Sequence, residues 1–364
     1  MELAHRTEPT KRFDTIDLLR GLSVLGVVYA AALRLKDALR SEPKHLQWPV
    51  VSVGSLSAGG AGKTPVVIAL AKMLQQRGWA VDVLSRGYGR DGRGVELVRG
   101  QDAKRFGDEP VLIAEQAGVA VWVGPDRFAA GTMAEDQRRR NDPHVHLLDD
   151  GFQHRQLART MDIVLITAED LDDALLPAGN LREPLTALQR ADVVVVRDDE
   201  FASIGKRVWA MVREGAQMWT VRRRLHFPAP LFVFGAGLKP IAFCAIARPE
   251  GFAAMLLEAG CGIAETVAFP DHHRYAMADI ERVIEVGVGL KATGFVTTEK
   301  DAVKLTPAMR ERLEILGPLM IVALEAEFAD SEAVMAAIEK SAATSEKRVL
   351  RHAQNGKSLG GGSR

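Results

Sequence analysis

One stretch near the amino terminus limits what this chain can become more than any other. Val50 to Val53 is a β-branched run that stops at Gly54, as a buried strand does. SLSAGGAGKTP follows, and a helix then runs from Thr64 until Gly78 ends it after Gln75, Gln76 and Arg77. Strand, glycine loop and helix in succession make a βα unit. Three glycines, Gly59, Gly60 and Gly62, let backbone N–H groups close round an anion, and the positive end of the helix is aimed at the same place.

The side chains at that point narrow the chemistry. Lys63 supplies a cation for the β and γ phosphates of a nucleoside triphosphate, and Thr64 supplies an oxygen for Mg²⁺. The candidate nucleotide-binding loop is therefore Gly59, Gly60, Ala61, Gly62, Lys63, Thr64 and Pro65. The general phosphate-loop pattern asks for glycine where Ser57 stands, so it is missed by one position while GGAGKT is intact. A loop of this kind also needs a carboxylate for the metal. His144 to Asp150 (HVHLLDD) reads as a buried strand ending in two, and Asp149 and Asp150 are both candidates; paired aspartates also commonly begin a turn. Phosphoryl transfer to an alcohol calls for a group that accepts the hydroxyl proton. Asp108, in Gly-Asp-Glu-Pro, is the leading candidate, and the same residue suits a helix N-cap.

The rest of the chain repeats the βα rhythm. Strands are predicted at Ala80 to Leu84, Val119 to Val123, Val145 to Leu148, Ile163 to Thr167 and Val193 to Val196, with helices near Pro110 to Gln116 and Asp126 to Arg140. Continuous apolar strands between helices imply a parallel sheet covered on both faces. After a basic, less regular stretch, Arg222 to Pro230, a second series follows: strands at Ile241 to Ala245, Glu265 to Ala268, Gly294 to Thr297 and Met320 to Ala323, with helices at Pro249 to Ala259, Met277 to Gly287 and Pro307 to Leu316. The expected organisation is a phosphate-loop α/β core over 47–225, a second, smaller α/β domain over 231–340, and a polar, glycine-rich disordered tail over 341–364.

Residues 1–46 form the remaining segment. Gly21 to Leu33 is apolar but shorter than the ~18 residues a spanning helix needs. Leu18, Leu22, Leu25, Val28, Tyr29, Ala32 and Leu35 recur at helical spacing, and Arg34, Lys36, Arg40 and Lys44 lie just beyond. This pattern fits an amphipathic helix at a membrane surface, and equally one packed on its own domain; a cleaved leader is disfavoured. Basic and acidic residues number 47 each, so no overall field draws the chain to nucleic acid. Cys244 and Cys261 have neither disulfide-framework nor metal-ligand spacing, which suits a reducing cytoplasm.

Eight motifs now occur in order: VSVGSLSAGGAGKTP, LSRGYGR, FGDEP, LLDDGFQHRQL, LPAGNLREP, FCAIARPEGF, FPDHHRY and TTEKDAVK. Together, over about Pro49 to Lys304, they closely resemble the tetraacyldisaccharide 4′-kinase (lipid A 4′-kinase) family, whose phosphate loop is likewise non-standard. The resemblance implies transfer of the ATP γ-phosphoryl group, with Mg²⁺, to the 4′-hydroxyl of a tetraacyldisaccharide 1-phosphate at the cytoplasmic face of the bacterial inner membrane, by a peripheral or monotopic protein. Nothing points to nucleic acid or to an obligate protein partner. It assigns Lys63 and Thr64 to phosphate and metal, Asp149 and Asp150 to the metal site, Asp108 as base and His272 as its partner. Arg182 matches a further catalytic position; Glu109, Gln153 and His154 match other active-site positions on the substrate side, and Tyr88 and Arg90 match substrate contacts. Ser55 departs from the family, which usually has asparagine there.

The rival reading is a nucleotide-dependent switch such as a metal-insertion GTPase, because GGxGKT loops serve there too. Thr298-Glu299-Lys300-Asp301 comes near a guanine-reading motif but has glutamate where an amide is needed.

Overall fold

The computed structural model describes residues 41–137, 143–228 and 239–358, with scattered positions between 26 and 39. Most of the amphipathic segment expected over 1–46 lies outside the described residues; positions 26, 28, 29, 31, 32 and 35 are helical.

The strands are β1 (Val50–Ser55), β2 (Ala80–Ser85), β3 (Glu96–Leu97), β4 (Ala120–Val123), β5 (His144–Asp149), β6 (Met161–Ile166), β7 (Val193–Arg197), β8 (Gln217–His226), β9 (Ile241–Cys244), β10 (Glu265–Ala268), β11 (Phe295–Thr298) and β12 (Leu319–Phe328). All twelve lie in one sheet, in the order β10, β9, β11, β12, β8, β7, β6, β1, β5, β2, β4, β3. β1 is central, flanked in parallel by β5 and β6, and Val53 pairs with Asp149. That register sets the carboxyl end of β5 beside the start of the glycine loop. Ligands of open α/β sheets gather at such carboxyl ends.

β1, β5, β6 and β7 are buried almost throughout, as strands covered on both faces must be. On one face the helix Lys63–Gln76 packs Val67, Leu70 and Leu74 against them; on the other lie Leu171, Leu188, Ile204 and Val208. Truncating any one of those leucines to alanine costs about 2–5 kcal/mol, so the helix is a rigid mount for the loop at its start. Gly54 is a further point of contact. A Cβ there would stand 2.6 Å from that of Phe152, so only glycine lets the turn after β5 lie on β1.

Two long strands join the halves. β8 runs parallel to β7 and then pairs antiparallel with β12, which belongs to the parallel series β9, β11, β12. The stretch from Arg222 read as irregular is thus strand as far as His226. The expected boundaries shift at both ends. Lys44 bonds through its backbone to Gln156 and Ala158, and Leu46 is buried over Gly131, so the core begins before residue 47. The helix Ser331–Ser358 returns to the first unit, packing Val334, Met335 and Ile338 on its core, while Ser341 Oγ donates to the Thr160 carbonyl. The tail expected to be disordered from 341 is therefore helical to Ser358. The sequence there is rich in Ala, Glu, Lys and Arg, all good helix formers.

Candidate active site

The glycine loop is built for close approach. Gly60 and Gly62 have φ of 77° and 82°, a region that side chains disfavour. Gly62 precedes the helix as its N-cap, and Pro65 sits in the first turn, where its missing N–H costs no helical bond. Lys63 Nζ donates to Ser55 Oγ at 3.1 Å and stands 3.5 Å from Asp150 Oδ1. Ser55 thus takes up the lysine where the family's usual residue is an amide, and its own hydroxyl donates to the Ser57 carbonyl.

The two aspartates at the end of β5 have different environments. Asp150 turns the chain with φ of 48°, a strained value for a non-glycine residue. Arg182 grips it with two 2.7 Å hydrogen bonds, and the same guanidinium donates to the Ser55 carbonyl. Burial works against its charge, but Lys63 and Arg182 hold it well below the usual carboxylate range. Asp149 is buried; Ser85 Oγ donates to its Oδ2 at 2.8 Å, while Oδ1 has no hydrogen-bond partner among the described residues. Burial, then the charges of Glu109 and Asp150, push Asp149 up to about 7. A carboxylate oxygen left open beside a phosphate loop, with the Thr64 hydroxyl on the adjoining helix, fits a divalent cation that takes its other ligands from phosphate and water. Among the described residues no group of three His, Cys, Asp or Glu side chains could hold a metal unaided.

Across the cleft, the second unit contributes from the carboxyl ends of its strands. His272, just after β10, brings Nδ1 to 3.0 Å from Asp108 Oδ2. Its backbone also has positive φ, 59°. Asp108 is the first residue of the helix Asp108–Ala117, whose N-cap is Gly107, so the capping role read for Asp108 is not the one it plays. A Cβ on Gly107 would crowd the Tyr88 carbonyl at 3.2 Å, which ties this helix start to the loop after β2. Burial opposes ionisation of Asp108, yet His272 and Lys300 hold it below its ordinary range; the hydrogen bond to Asp108 in turn raises His272.

The other expected residues divide. Glu109 pairs with Lys300 at 3.1 Å, and Gln153 Nε2 donates to the Ser55 carbonyl at 3.0 Å, bracing the loop. His154 lies in the tight turn after Asp150, its N–H on the Gly151 carbonyl. Tyr88 is exposed in the cleft with its ring 5.3 Å from that of His272. Arg90 turns back into its own loop, toward Glu96 and the Gly94 carbonyl. Asp301 of the near-guanine motif is wholly buried, accepting from Ala245 N and Tyr275 Oη and paired with Lys304, so it reads no base.

Sequence reasoning passed over several residues. Lys300 and Asp271 stand beside His272, and Arg248 lies against the loop, where a Cβ on Gly60 would strike its guanidinium. Arg127 is buried near Asp149 and Asp150, and burial pulls it down to about 10. Lys300 and Arg248 lie inside motifs already quoted, but only the fold carries them to the cleft.

The family model described as tetraacyldisaccharide-1-P 4′-kinase matches residues 18–343. A tetraacyldisaccharide 4′-kinase of Koribacter versatilis is 39% identical over 331 residues, covering 88% of this chain and 98% of the relative. One from Geobacter metallireducens is 38% identical over 343 residues, covering 88% and 97%. A crystal structure of the "apo" form of LpxK from Aquifex aeolicus in complex with ATP superposes with a TM-score of 0.69 at 28% identity, covering 89% of this chain and 99% of that one.

Proposed function

This chain belongs to the tetraacyldisaccharide-1-P 4′-kinase family and is an ATP-dependent kinase of lipid A biosynthesis, and we propose from that premise how its residues share the transfer of the ATP γ-phosphoryl group to the 4′-hydroxyl of tetraacyldisaccharide 1-phosphate. Lys63 and the N–H groups of Gly59 to Thr64 hold the triphosphate. Mg²⁺, when bound, neutralises charge on the phosphoryl oxygens; Thr64 and Asp149 would hold it, which the open Asp149 Oδ1 supports. Asp150 is engaged by Arg182, and that pair fixes the loop geometry.

Asp108 takes the 4′-hydroxyl proton, and His272 holds its carboxylate in place. The observation that carries this reading is the 3.0 Å contact between a carboxylate kept ionised and an imidazole from the opposite unit. Since the two come from different units, a competent base would form only when those units meet, which couples closure to chemistry. Tyr88, open beside the pair, is a fitting wall for the sugar.

The lipid substrate is met at the cytoplasmic face of the inner membrane. Support comes from the amino-terminal segment, where Val28, Leu35 and Leu39 are 59%, 61% and 77% exposed. Among the described residues no helix is long and apolar enough to cross a bilayer, so attachment would be at the surface. Incubation with ATP, Mg²⁺ and tetraacyldisaccharide 1-phosphate, with mass analysis of the lipid, tests the reaction. Deletion of residues 1–40, tested on vesicles carrying that substrate, tests the surface. Unchanged vesicle binding and turnover would return the segment to a packing role.

A further inference from the structure

Lys300 is a half-buried cation at the meeting of the two units. Its Nζ stands 3.1 Å from Glu109 Oε1 of the first unit, 3.4 Å from Asp271 Oδ1 and 3.4 Å from His272 Nε2. Asp301, the next residue, is wholly buried: its Oδ1 accepts from Ala245 N at 3.0 Å and Tyr275 Oη at 3.1 Å, its Oδ2 from Thr298 Oγ1 at 2.6 Å, and Lys304 pairs with it at 2.7 Å. In TTEKDAVK the aspartate therefore fastens the turn after β11, and the lysine before it is delivered into the cleft.

The contact with His272 has a consequence for the proton on the ring. An ammonium has three donors and no acceptor, so a ring nitrogen that shares a hydrogen bond with it must accept. We infer that Lys300 is a positioning residue that fixes the tautomer of His272: Nε2 accepts from Lys300, and the single ring proton sits on Nδ1 and is donated to Asp108. Asp108 then keeps its charge and its unused lone pairs for the substrate hydroxyl. An imidazolium in the same place would weaken the base by a full neighbouring charge.

The other groups facing His272 set the balance. Asp271 Oδ2 lies 3.8 Å from Nε2 and would accept a proton placed there; Lys300, bonded to Asp271, opposes that proton. Tyr88 covers one side of the ring. Asp108 feels Lys300 and Lys304 as well as His272, while Glu109, Asp108 and Asp271 together stabilise the charge on Lys300. The lysine is thus firmly cationic, and it pulls against the upward effect of Asp108 on the imidazole.

This inference rests on the reading of Asp108 as base, but its test does not need turnover. ¹⁵N-histidine labelling of the full chain, with His272 assigned among nine histidines by its loss in His272→Gln, reports each ring nitrogen directly. In the unmodified protein at pH 8 the expected spectrum has a protonated Nδ1 and an unprotonated Nε2. In Lys300→Met the ring should keep its second proton to a pH higher by about one unit, as removal of a like charge within 4–6 Å predicts. The acid limb of kcat should move by the same amount, and Lys300→Arg, which keeps a donor-only cation, should restore both. A protonated Nε2 at pH 8, or a ring titration unmoved in Lys300→Met, would overturn the inference. The first result needs no change at Lys300 and so survives a Lys300→Met protein that does not fold. If Asp108→Asn stays active while Lys300→Met shifts the ring, the base reading fails and the tautomer assignment stands.

Discussion

His272 Nδ1 lies 3.0 Å from Asp108 Oδ2, although 164 positions separate the two residues and they stand on opposite units of the sheet. His272 holds this pose from a left-handed backbone, φ 59°, as does Asp150 at φ 48° in the first unit. Such conformations cost of order 1–3 kcal/mol each. Both occur where a side chain reaches the cleft from a turn at the end of a strand.

If the pair acts as one unit, its losses will not multiply. Asp108→Ala and His272→Ala should each lower kcat by about 10²–10⁴ while leaving ATP affinity near normal. The double variant should lose far less than the product of the two. Asp108→Asn can still accept the Glu109 N–H that Asp108 Oδ1 accepts at 3.0 Å, but it cannot take a proton. Full turnover in Asp108→Asn with an unchanged melting temperature would remove Asp108 from the mechanism.

Lys63→Ala should reduce transfer by about a hundredfold or more, because the lysine meets charge on the migrating phosphoryl group in a sheltered site. Steady-state kinetics with ATP near saturation would separate a fall in kcat from a rise in KM. Near-normal kcat would argue against the assignment of the loop.

The grip of Arg182 on Asp150 depends on a fork. Two 2.7 Å bonds from one guanidinium cannot be reproduced by an ammonium. Arg182→Lys should therefore lose part of the stability of a charged hydrogen bond, about 1.5–3 kcal/mol, together with activity. Combining Arg182→Ala with Asp150→Asn should cost less stability than the two separate changes added, since neither leaves the other unpaired. Additive losses in denaturant unfolding would mean that the pair is not coupled.

The sequence carried the central strands of the first unit, because they are apolar runs covered on both faces, and its loop, because that is a glycine motif; the helix Asp198–Trp209 and the short strand Glu96–Leu97 went unread. β8 was missed for a physical reason. Its buried side holds Trp219 and Val221 but is then interrupted by the half-buried Arg223, which hides the alternation, while Arg222 and Arg224 line the exposed side; Arg222 pairs with Asp198 and Arg224 with Glu327. The helix Ser331–Ser358 was missed because the sequence beyond Ser341 is dominated by polar and charged residues. Within the site, Lys63, Asp108, Asp150 and Arg182 were legible from motifs. The contact of Lys300 with His272 arises from the ends of β10 and β11 facing the helix at Asp108, which no local pattern records. The same holds for the pairing of Arg90 with Glu96 inside its own loop.

The last prediction concerns Asp149, where function and stability should oppose each other. In the unfolded chain this carboxyl ionises near 3.8, while in the fold, pushed up to about 7, it keeps its proton far longer. The folded state binds that proton more tightly, so its contribution to stability is present at low pH and is lost as pH rises from the unfolded value through the folded one. The side-chain amide introduced by Asp149→Asn carries no charge, and its oxygen can still accept from Ser85. Without Mg²⁺ the variant should therefore melt higher than the parent, by a margin that is small at pH 5 and larger at pH 8, about 2–4 °C for each kcal/mol recovered. Mg²⁺ with nucleotide should narrow the gap at pH 8, because a cation at the open Oδ1 stabilises the ionised parent and has less to hold in the variant. Turnover should fall sharply in the same protein. A melting difference independent of pH would show that Asp149 is not the buried charge described here, and a gap unmoved by Mg²⁺ with nucleotide would take it out of the metal site.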